Sequence, residues 1–443
     1  MDHHLLTHVG MKRGNNQDNL SSLLAANSQQ FVKQGHFFLV ADGMGGHLGG
    51  EKASEMASRI IPLSYTKLIG QTGASIQESL AKAFSEANEA IHRKGHEGRD
   101  FFNMGTTCSC LVIREDGAWV AHVGDSRIYL VRGRRIHQLT FDHSMVWQAA
   151  KDRGVDPDSV HDVMSNRILR CLGPERLVDT DIQGPYPIRP GDAFVLCSDG
   201  LSGFVADSEI ATAVANLPAD LASRFLVNLA NLRGGADNIS VIVVQVTEDI
   251  ESAGKQELAN PELGGTTNNF TQMVWISAAI FGGLSFLIFL PIYLIWHQNE
   301  WLNEEWLRIL LGLNLISFMV SLAIGLGGLV INNFGLETSG KHQEDHVPIS
   351  RARKWDLNKF MIESIMKQNL EIINAAESAM AIEQVEAIRI RNNAIVLEIE
   401  QGHEKTAFAV AAGVFVELAP IIEKMIRYQL IQPTRLIMVK PSV

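Results

Sequence analysis

Four short acidic stretches in the first part of the chain carry the side chains best suited to metal chemistry. Their aspartates are Asp18, Asp42, Asp199 and Asp237. Asp42 and Asp199 each follow an apolar run and precede a glycine, which predicts a buried strand that breaks into a turn. Carboxylate oxygens suit Mg²⁺ or Mn²⁺, and a water held between two such ions can attack phosphorus at neutral pH. The set therefore indicates phosphoester hydrolysis.

The order of these stretches matters more than any one of them. A single Asp before Gly is more often a turn residue whose side chain caps its own backbone. Three further motifs lie between the second and third acidic stretches, with the sequences GTTCSCLVI at 105–113, AHVGDSRIYLV at 121–131 and LTFDHS at 139–144. Seven motifs in one order are not expected by chance.

Together the motifs resemble the metal-dependent Ser/Thr protein phosphatases, the PPM or type 2C family in its bacterial form, over about residues 5–247. The resemblance implies an α+β fold, in which a phosphatase-type β-sandwich is flanked by helices. It also implies an enzyme, a phosphoric monoester hydrolase that acts on phosphoserine and phosphothreonine in proteins. Its cofactors would be two Mn²⁺ or Mg²⁺ ions, with a third in bacterial members.

The resemblance assigns metal ligands residue by residue. Asp42 would bridge the two metals, and the Gly43 carbonyl would complete the shell of one of them. Asp199 and Asp237 would hold the other metal directly. Asp18 would act through metal-bound water.

Other positions near these ligands are assigned or left open. Arg13 would bind the substrate phosphate, because a guanidinium offers two parallel donors. Asp125 falls where bacterial members bind a third, weaker metal, and its alternative is a turn residue between two strands. Gln17 replaces the Glu of many relatives, so we expect tuning of the site and not its loss. Met44 stands where animal relatives place a His and His47 lies three residues on, so the general acid stays open.

Composition and charge limit the remaining possibilities. A chain of 443 residues predicts two or three domains, and a net charge of −11 gives no support to nucleic-acid binding. The first 20 residues lack the apolar core of a signal peptide. The four cysteines read as small core hydrophobes rather than disulfides or zinc ligands, and reduced thiols fit the cytosol. They are Cys108, Cys110, Cys171 and Cys197.

Helix-like stretches at 50–68 and 75–94 precede the predicted strands, and an insert lies between Asp142 and Gly173. In relatives this insert is the flap beside the metal site. Its alternative is an ordinary pair of surface helices. The position directly after the Asp-His-Ser motif favours the flap.

Two long apolar segments predict a membrane hairpin, because about 20 apolar residues cross a bilayer as a helix. The resulting plan is a phosphatase domain at 1–247, a linker at 248–272, a transmembrane helix at 273–296, a short external loop at 297–308, a second transmembrane helix at 309–331, a basic linker at 332–354 and a cytosolic tail at 355–443.

Charge sets the expected orientation of this hairpin. The loop carries Glu300, Glu304 and Glu305, whereas Lys341 and the basic residues at 351–354 follow the second span. The basic side of a membrane protein faces the cytoplasm. We therefore expect the bacterial inner membrane, contact with the lipid bilayer, and both terminal regions in the cytosol. A small channel is disfavoured, because each chain has only two spans and no charge within them.

The tail is predicted to be a small α/β domain. Residues 355–391 read as an amphipathic helix, 394–399 as a strand, 405–428 as a helix broken at Pro420, and 435–439 as a second strand. These elements are too few to bury their own apolar faces. The tail would complete its core against the phosphatase region or against another copy of the chain, and it would serve in docking or self-association. The alternative is a self-contained small domain with no partner.

The sequence therefore predicts a membrane-anchored Ser/Thr protein phosphatase that opposes a eukaryotic-like Ser/Thr kinase. Its partners would be phosphorylated proteins and that kinase, with no nucleic acid, and it could form a homo-oligomer through the tail or the membrane helices. The alternative is a catalytically weak phosphoprotein-binding or scaffold protein of a membrane complex. Retention of the four aspartates of the acidic stretches argues against it.

Overall fold

Apolar runs of the chain form two antiparallel sheets. The computed structural model describes residues 1–45, 48–70, 74–164, 167–247, 351–376 and 382–427. The strands are β1 Asp2–His8, β2 Asp18–Leu23, β3 His36–Met44, β4 Gly105–Thr106, β5 Cys108–Arg114, β6 Gly117–Val123, β7 Arg127–Arg132, β8 Arg135–Gln138, β9 Asp181–Tyr186, β10 Ala193–Cys197, β11 Ile239–Gln245 and β12 Arg351–Lys354. The first sheet has the order β1-β11-β10-β7-β8-β12. The second has the order β2-β3-β5-β6-β9, with β4 paired to β3.

Side chains from both sheets fill the space between them. In β3, Phe38 and Val40 belong to this shared core, whereas Phe37 and Leu39 pack on the opposite face of their sheet. Successive side chains of a strand alternate in direction, so a strand buried on both faces reads as one apolar run. The predicted β-sandwich is confirmed.

Helices cover both outer faces of the sandwich. They are α1 Ser28–Gln34, α2 Gly49–Ile69, α3 Ile76–Gly95, α4 Met145–Arg153, α5 Asp199–Ser202, α6 Asp207–Asn216 and α7 Ala219–Leu232. α2 and α3 pack on the second sheet, and α6 and α7 on the first. The Ser75 hydroxyl accepts from the Glu78 amide and the Glu78 carboxylate accepts from the Ser75 amide, a capping box that begins α3. The helices predicted at 50–68 and 75–94 are confirmed.

The described part of the tail packs on the first sheet and its helices. Three helices, α8 Lys359–Ala376, α9 Ile382–Glu400 and α10 Glu404–Arg427, share one apolar core with α7. Phe225 of α7 meets the rings of Phe408 and Phe415 of α10 edge-on, at centroid distances of 5.8 and 5.5 Å. Of the two expectations for the tail's apolar faces, the structure favours completion against the phosphatase region.

Residues 351–354 are a strand and not the end of a basic linker. Strand β12 pairs antiparallel with β8, with Arg351 opposite Gln138 and Lys354 opposite Arg135. The side chains along β12 alternate between half-buried and exposed. A free sheet edge offers unpaired backbone groups to such a segment, which charge and hydropathy alone do not reveal.

The strand predicted at 394–399 is also wrong, because these residues end α9. The buried positions of α9 recur at helical spacing, at Val385, Ile388, Asn392 and Ile395. The single helix expected at 355–391 divides into α8 and α9. The Asn358 side chain caps the start of α8 by accepting from the Met361 amide at 2.9 Å.

α10 runs through Pro420 without the predicted break. A proline inside a helix removes one backbone hydrogen bond. Leu418 before it is fully buried and Ile421 after it packs against the same core, so burial on both sides offsets that loss.

The predicted linker 248–272, membrane helices 273–296 and 309–331, external loop 297–308 and strand 435–439 lie outside the described residues. Among the residues that are described, no helix combines the length and apolar character needed to cross a bilayer.

Candidate metal centre

Strand pairing brings the acidic stretches to one end of the sandwich. Asp18 begins β2 directly opposite Asp42 near the end of β3. Asp199 follows β10 and Asp237 precedes β11, and these two strands are paired. The Ser198 hydroxyl donates to Asp18 Oδ2 at 2.8 Å and so joins the two sheets at this end.

A set of hydroxyl groups holds the loops of the site. The Thr107 hydroxyl accepts from the Asp42 amide at 3.0 Å, and the Thr106 hydroxyl donates to the Asp42 carbonyl at 2.8 Å. Thr107 also bonds the Ser126 hydroxyl at 2.7 Å, which fixes the turn that carries Asp125. The Gly-Thr-Thr motif at 105–107 has no role that its sequence alone reveals. Its position beside an aspartate loop becomes informative only when the pairing of β3 with β4 is known.

Close backbone packing explains the glycine after Asp42. A Cβ atom on Gly43 would lie 2.1 Å from the Gly50 carbonyl oxygen, so no other residue fits without a shift of backbone. The Gly43 amide donates to the Gln17 carbonyl at 3.1 Å. The Ser54 hydroxyl donates to the same carbonyl at 2.5 Å, so Gln17 links the start of β2 to α2.

Burial and mutual repulsion raise the pKa values of the site carboxyls. Burial raises the pKa of Asp18 to about 7 and that of Asp125 to about 8. The pKa of Asp42 lies well above its ordinary value because of burial and the charges of Asp18, Asp199, Asp125 and Asp237. Burial and the charge of Asp237 also raise the pKa of Asp199. All of the predicted carboxylate ligands therefore act on one another.

These carboxylates fit hard divalent cations. One buried oxygen in each of Asp18, Asp125 and Asp199 has no hydrogen-bond partner, which is costly for a buried polar atom. Among the described residues, no group of three or more acidic, His or Cys side chains is arranged so that it could hold a metal ion by itself. Mg²⁺ and Mn²⁺ keep several waters, so they need only a few protein oxygens directed at one space.

Arg13 lies at the rim of the same site. Its guanidinium donates to Asp237 Oδ2 at 2.7 Å, and its side chain is 49% exposed. Its charge also lowers the pKa of Asp199, against the larger effect of burial. The structure therefore places the predicted phosphate-binding group next to the predicted ligands. His47 lies outside the described residues, so the general acid stays open.

The insert after Asp142 is anchored to the backbone of the site at both ends. The His143 amide donates to the Gly124 carbonyl at 2.7 Å, next to Asp125. Leu172, near the other end, exchanges backbone hydrogen bonds with Thr106 at 2.9 and 3.0 Å. Between these anchors the chain forms α4 and a 3₁₀ turn at Pro157–Ser159. The insert therefore lies beside the carboxylate cluster.

A β-sandwich with buried and half-buried aspartates and a half-exposed arginine at one end is the arrangement of a metal-dependent phosphoester hydrolase. A model of the family described as protein phosphatase 2C matches residues 6–153. Protein phosphatase PhpP of Streptococcus pneumoniae is 35% identical over 251 residues, which cover 56% of this chain and 99% of PhpP. The chain belongs to the protein phosphatase 2C family.

Two further proteins match over the same share of this chain. Serine/threonine phosphatase stp of Listeria monocytogenes is 32% identical, over 56% of this chain and 96% of stp. The solved structure of the S. agalactiae serine/threonine phosphatase aligns with 33% identity and a TM-score of 0.48, over 55% of this chain and 99% of that one. The predicted enzyme class, a metal-dependent protein serine/threonine phosphatase, is confirmed.

Proposed function

We propose that this phosphatase hydrolyses phosphoserine and phosphothreonine in proteins with Mn²⁺ or Mg²⁺ held by Asp18, Asp42, Gly43, Asp199 and Asp237, and with a third ion at Asp125. The observation that carries the proposal is the cluster of buried and half-buried carboxyls at one end of the sandwich, whose pKa values are raised by desolvation and by one another. When bound, the ions supply a nucleophilic water and offset charge on the phosphoryl oxygens.

The residues of the chain bind and orient the phosphate group. Arg13 already presents its guanidinium to an oxygen anion, Asp237, and a phosphate offers the same kind of acceptor. Ser198 and Thr107 hold the aspartate loops, so these carboxylates do not have to reorganise during the reaction. Asp18 is 5% exposed, which limits water around the cluster and strengthens each charge interaction.

The decisive test is manganese-dependent phosphate release from a phosphothreonine peptide by the full chain. Asp42→Asn should reduce the rate by more than about 100-fold, because Asp42 would hold the metal ions and the loss of a ligand would displace them. Asp116→Asn makes the same chemical change at an exposed ion pair with Arg114 and should leave the rate unchanged. Equal rates for the two variants would favour the alternative of a weakly catalytic phosphoprotein-binding or scaffold protein.

We also propose a two-span anchor in the bacterial inner membrane, with both terminal regions in the cytosol. The uncharged segments at 273–296 and 309–331 support it. So does the packing of the tail on the phosphatase region, because two regions that share a core must lie on the same side of a membrane. A Ser/Thr kinase is the partner that a phosphatase acting on such substrates would oppose. Whether the tail also docks a partner or a second copy stays a prediction.

A further inference from the structure

Strand β12 places two arginines on one face of the first sheet. Arg351 and Arg353 are separated by one residue, so their side chains leave the strand in the same direction. The Trp355 amide donates to the Arg134 carbonyl at 3.1 Å and continues the pairing past the end of β12. The direction of both guanidiniums is therefore fixed by the sheet.

Both arginines contact the 3₁₀ turn of the insert. Each guanidinium donates to Asp158 Oδ2 at 2.5 Å. Asp156 lies 3.9 Å from Arg351 and 3.6 Å from Arg353, and its side chain also accepts from the Asp158 amide at 2.9 Å. Arg351 is only 8% exposed, whereas Asp158 is 58% exposed, so water screens the carboxylate side of this ion pair and not its Arg351 side.

The same arginines reach a third carboxylate, in α6. Asp207 Oδ2 lies 3.8 Å from each guanidinium, and Asp207 is itself buried. Asp207 Oδ1 accepts from the Tyr129 hydroxyl at 3.1 Å. The two arginines thus connect the insert to a fixed part of the catalytic domain.

The insert has the features of a surface that meets other proteins. Its two ends are bonded to Gly124 and Thr106 in the loops of the metal centre, and its turn is held by the two arginines. It also exposes apolar side chains, with Met164 72% and Leu169 51% exposed. Exposed apolar side chains close to an active site provide contacts for a bound protein.

We propose that Arg351 and Arg353 are positioning residues that hold the insert in the orientation in which it contacts a phosphoprotein substrate. The proposal rests on the proposed function, because it concerns the affinity of the same site for its substrates. The segment that follows the predicted membrane helices thereby sets the KM of the catalytic domain for proteins. It does so without contact with the reacting phosphate.

The test compares two substrates of different size with the full chain, phosphorylated casein and p-nitrophenyl phosphate. Arg351→Gln together with Arg353→Gln should raise KM for phosphorylated casein about threefold to tenfold, with a smaller change in kcat. The rise for p-nitrophenyl phosphate should be smaller, since that substrate is too small to reach the insert. Arg351→Lys with Arg353→Lys should restore part of the affinity.

A variant on the insert tests the contact from the other side. Asp158→Asn should reproduce part of the rise in KM, since the arginines also approach Asp156. Adding it to the two Gln substitutions should cause no further rise, because the contact with Asp158 is already lost. Arg134→Gln removes a different contact between domain and tail, the 3.8 Å approach to Asp356, and should leave both KM values unchanged. Additive effects, or equal changes for both substrates, would overturn the proposal.

Hydrogen exchange separates this proposal from the proposed function. The amides of residues 154–160 should exchange faster in Asp158→Asn than in the wild type, whatever the activity of the protein. Faster exchange in Asp158→Asn, together with no phosphate release by the wild type, would refute the proposed function. It would still support the contact of Asp158 with the two arginines. Unchanged exchange in an active enzyme would refute the positioning role alone.

Discussion

Five aspartates share one end of the sandwich, and in four of them the carboxylate is less stable than it would be in water. Burial is the first cause of the raised pKa of Asp18, Asp42, Asp125 and Asp199, and the neighbouring negative charges add to it. This arrangement does not stabilise the folded protein. The cluster lowers folding stability, and in the proposed function it provides a prearranged set of oxygens for a divalent cation.

Arg13 should act mainly in substrate binding. Arg13→Ala should raise KM for a phosphopeptide about tenfold or more, because hydrogen bonds to charged groups contribute roughly 1.5–3 kcal/mol. Arg13→Lys should recover only part of this, since an ammonium lacks the planar fork. Steady-state kinetics on the full chain measure both effects, with exposed Arg59→Ala as the control. An unchanged KM in Arg13→Ala would assign phosphate binding to another group.

His122 should make the fold sensitive to acid. Burial lowers its pKa to about 3, and its ring bonds the Ser109 hydroxyl and the Phe141 carbonyl. The unfolded chain therefore takes up a proton below about pH 6.5 that the folded chain refuses until about pH 3. The contribution of His122 to the free energy of unfolding should fall by about 1.4 kcal/mol per pH unit as the pH decreases through this range.

The measurement is urea unfolding of His122→Gln and the wild type between pH 7 and pH 4. The variant should show a shallower loss of stability towards low pH. His161→Gln changes an exposed histidine and should keep the slope of the wild type. Identical slopes for all three proteins would show that other groups control the acid response.

Asp42 and Asp199 were predictable from sequence as site residues, because an Asp-Gly pair after a buried strand is a local signal. The groups that hold them were not. Ser198 bonds Asp18 across 180 positions of the chain, and Thr106 serves a loop more than 60 positions earlier. A serine or threonine has many structural roles, so only the tertiary contact identifies the one it performs.

At the scale of elements, α10 and α7 should behave as one packed unit. Phe415→Ala should lower the free energy of unfolding by about 3–5 kcal/mol, because Phe415 is fully buried and contacts Phe225 of α7. Hydrogen exchange should become faster in both helices. Phe360→Ala, at a side chain 63% exposed in the same tail, should change neither helix. Faster exchange confined to α10 would mean that the tail folds independently.

The β-sandwich was predictable as an element pattern, whereas the tail was not. Apolar strands such as β3 are buried on both faces, so their sequence alone indicates them. The segment 394–399 has the same apolar and β-branched character, but it is helical because its buried positions face α8 and α10. Tertiary packing overrides local preference where a short apolar run fits either structure.

At the scale of the whole molecule, the tail and the phosphatase region should lie on the same side of a membrane, because they share one core. Reporters fused at Met1 and after Val443 should both report the cytoplasm. A single Cys at Asn299 should react with an impermeant reagent from outside. A tail reporter in the periplasm would contradict both the hairpin and the core that α7 shares with α10.

The pairing of β12 with β8 also decides how the catalytic region can be studied in isolation. A fragment that ends at residue 247 would lack β12, and the backbone donors and acceptors of β8 would lie open at the end of the first sheet. The face of α7 around Phe225 would lose its cover at the same time. Exposed edge strands pair with one another and with other chains. Such a fragment would therefore carry an association site that the intact protein conceals, and self-assembly observed with it would be a product of the truncation.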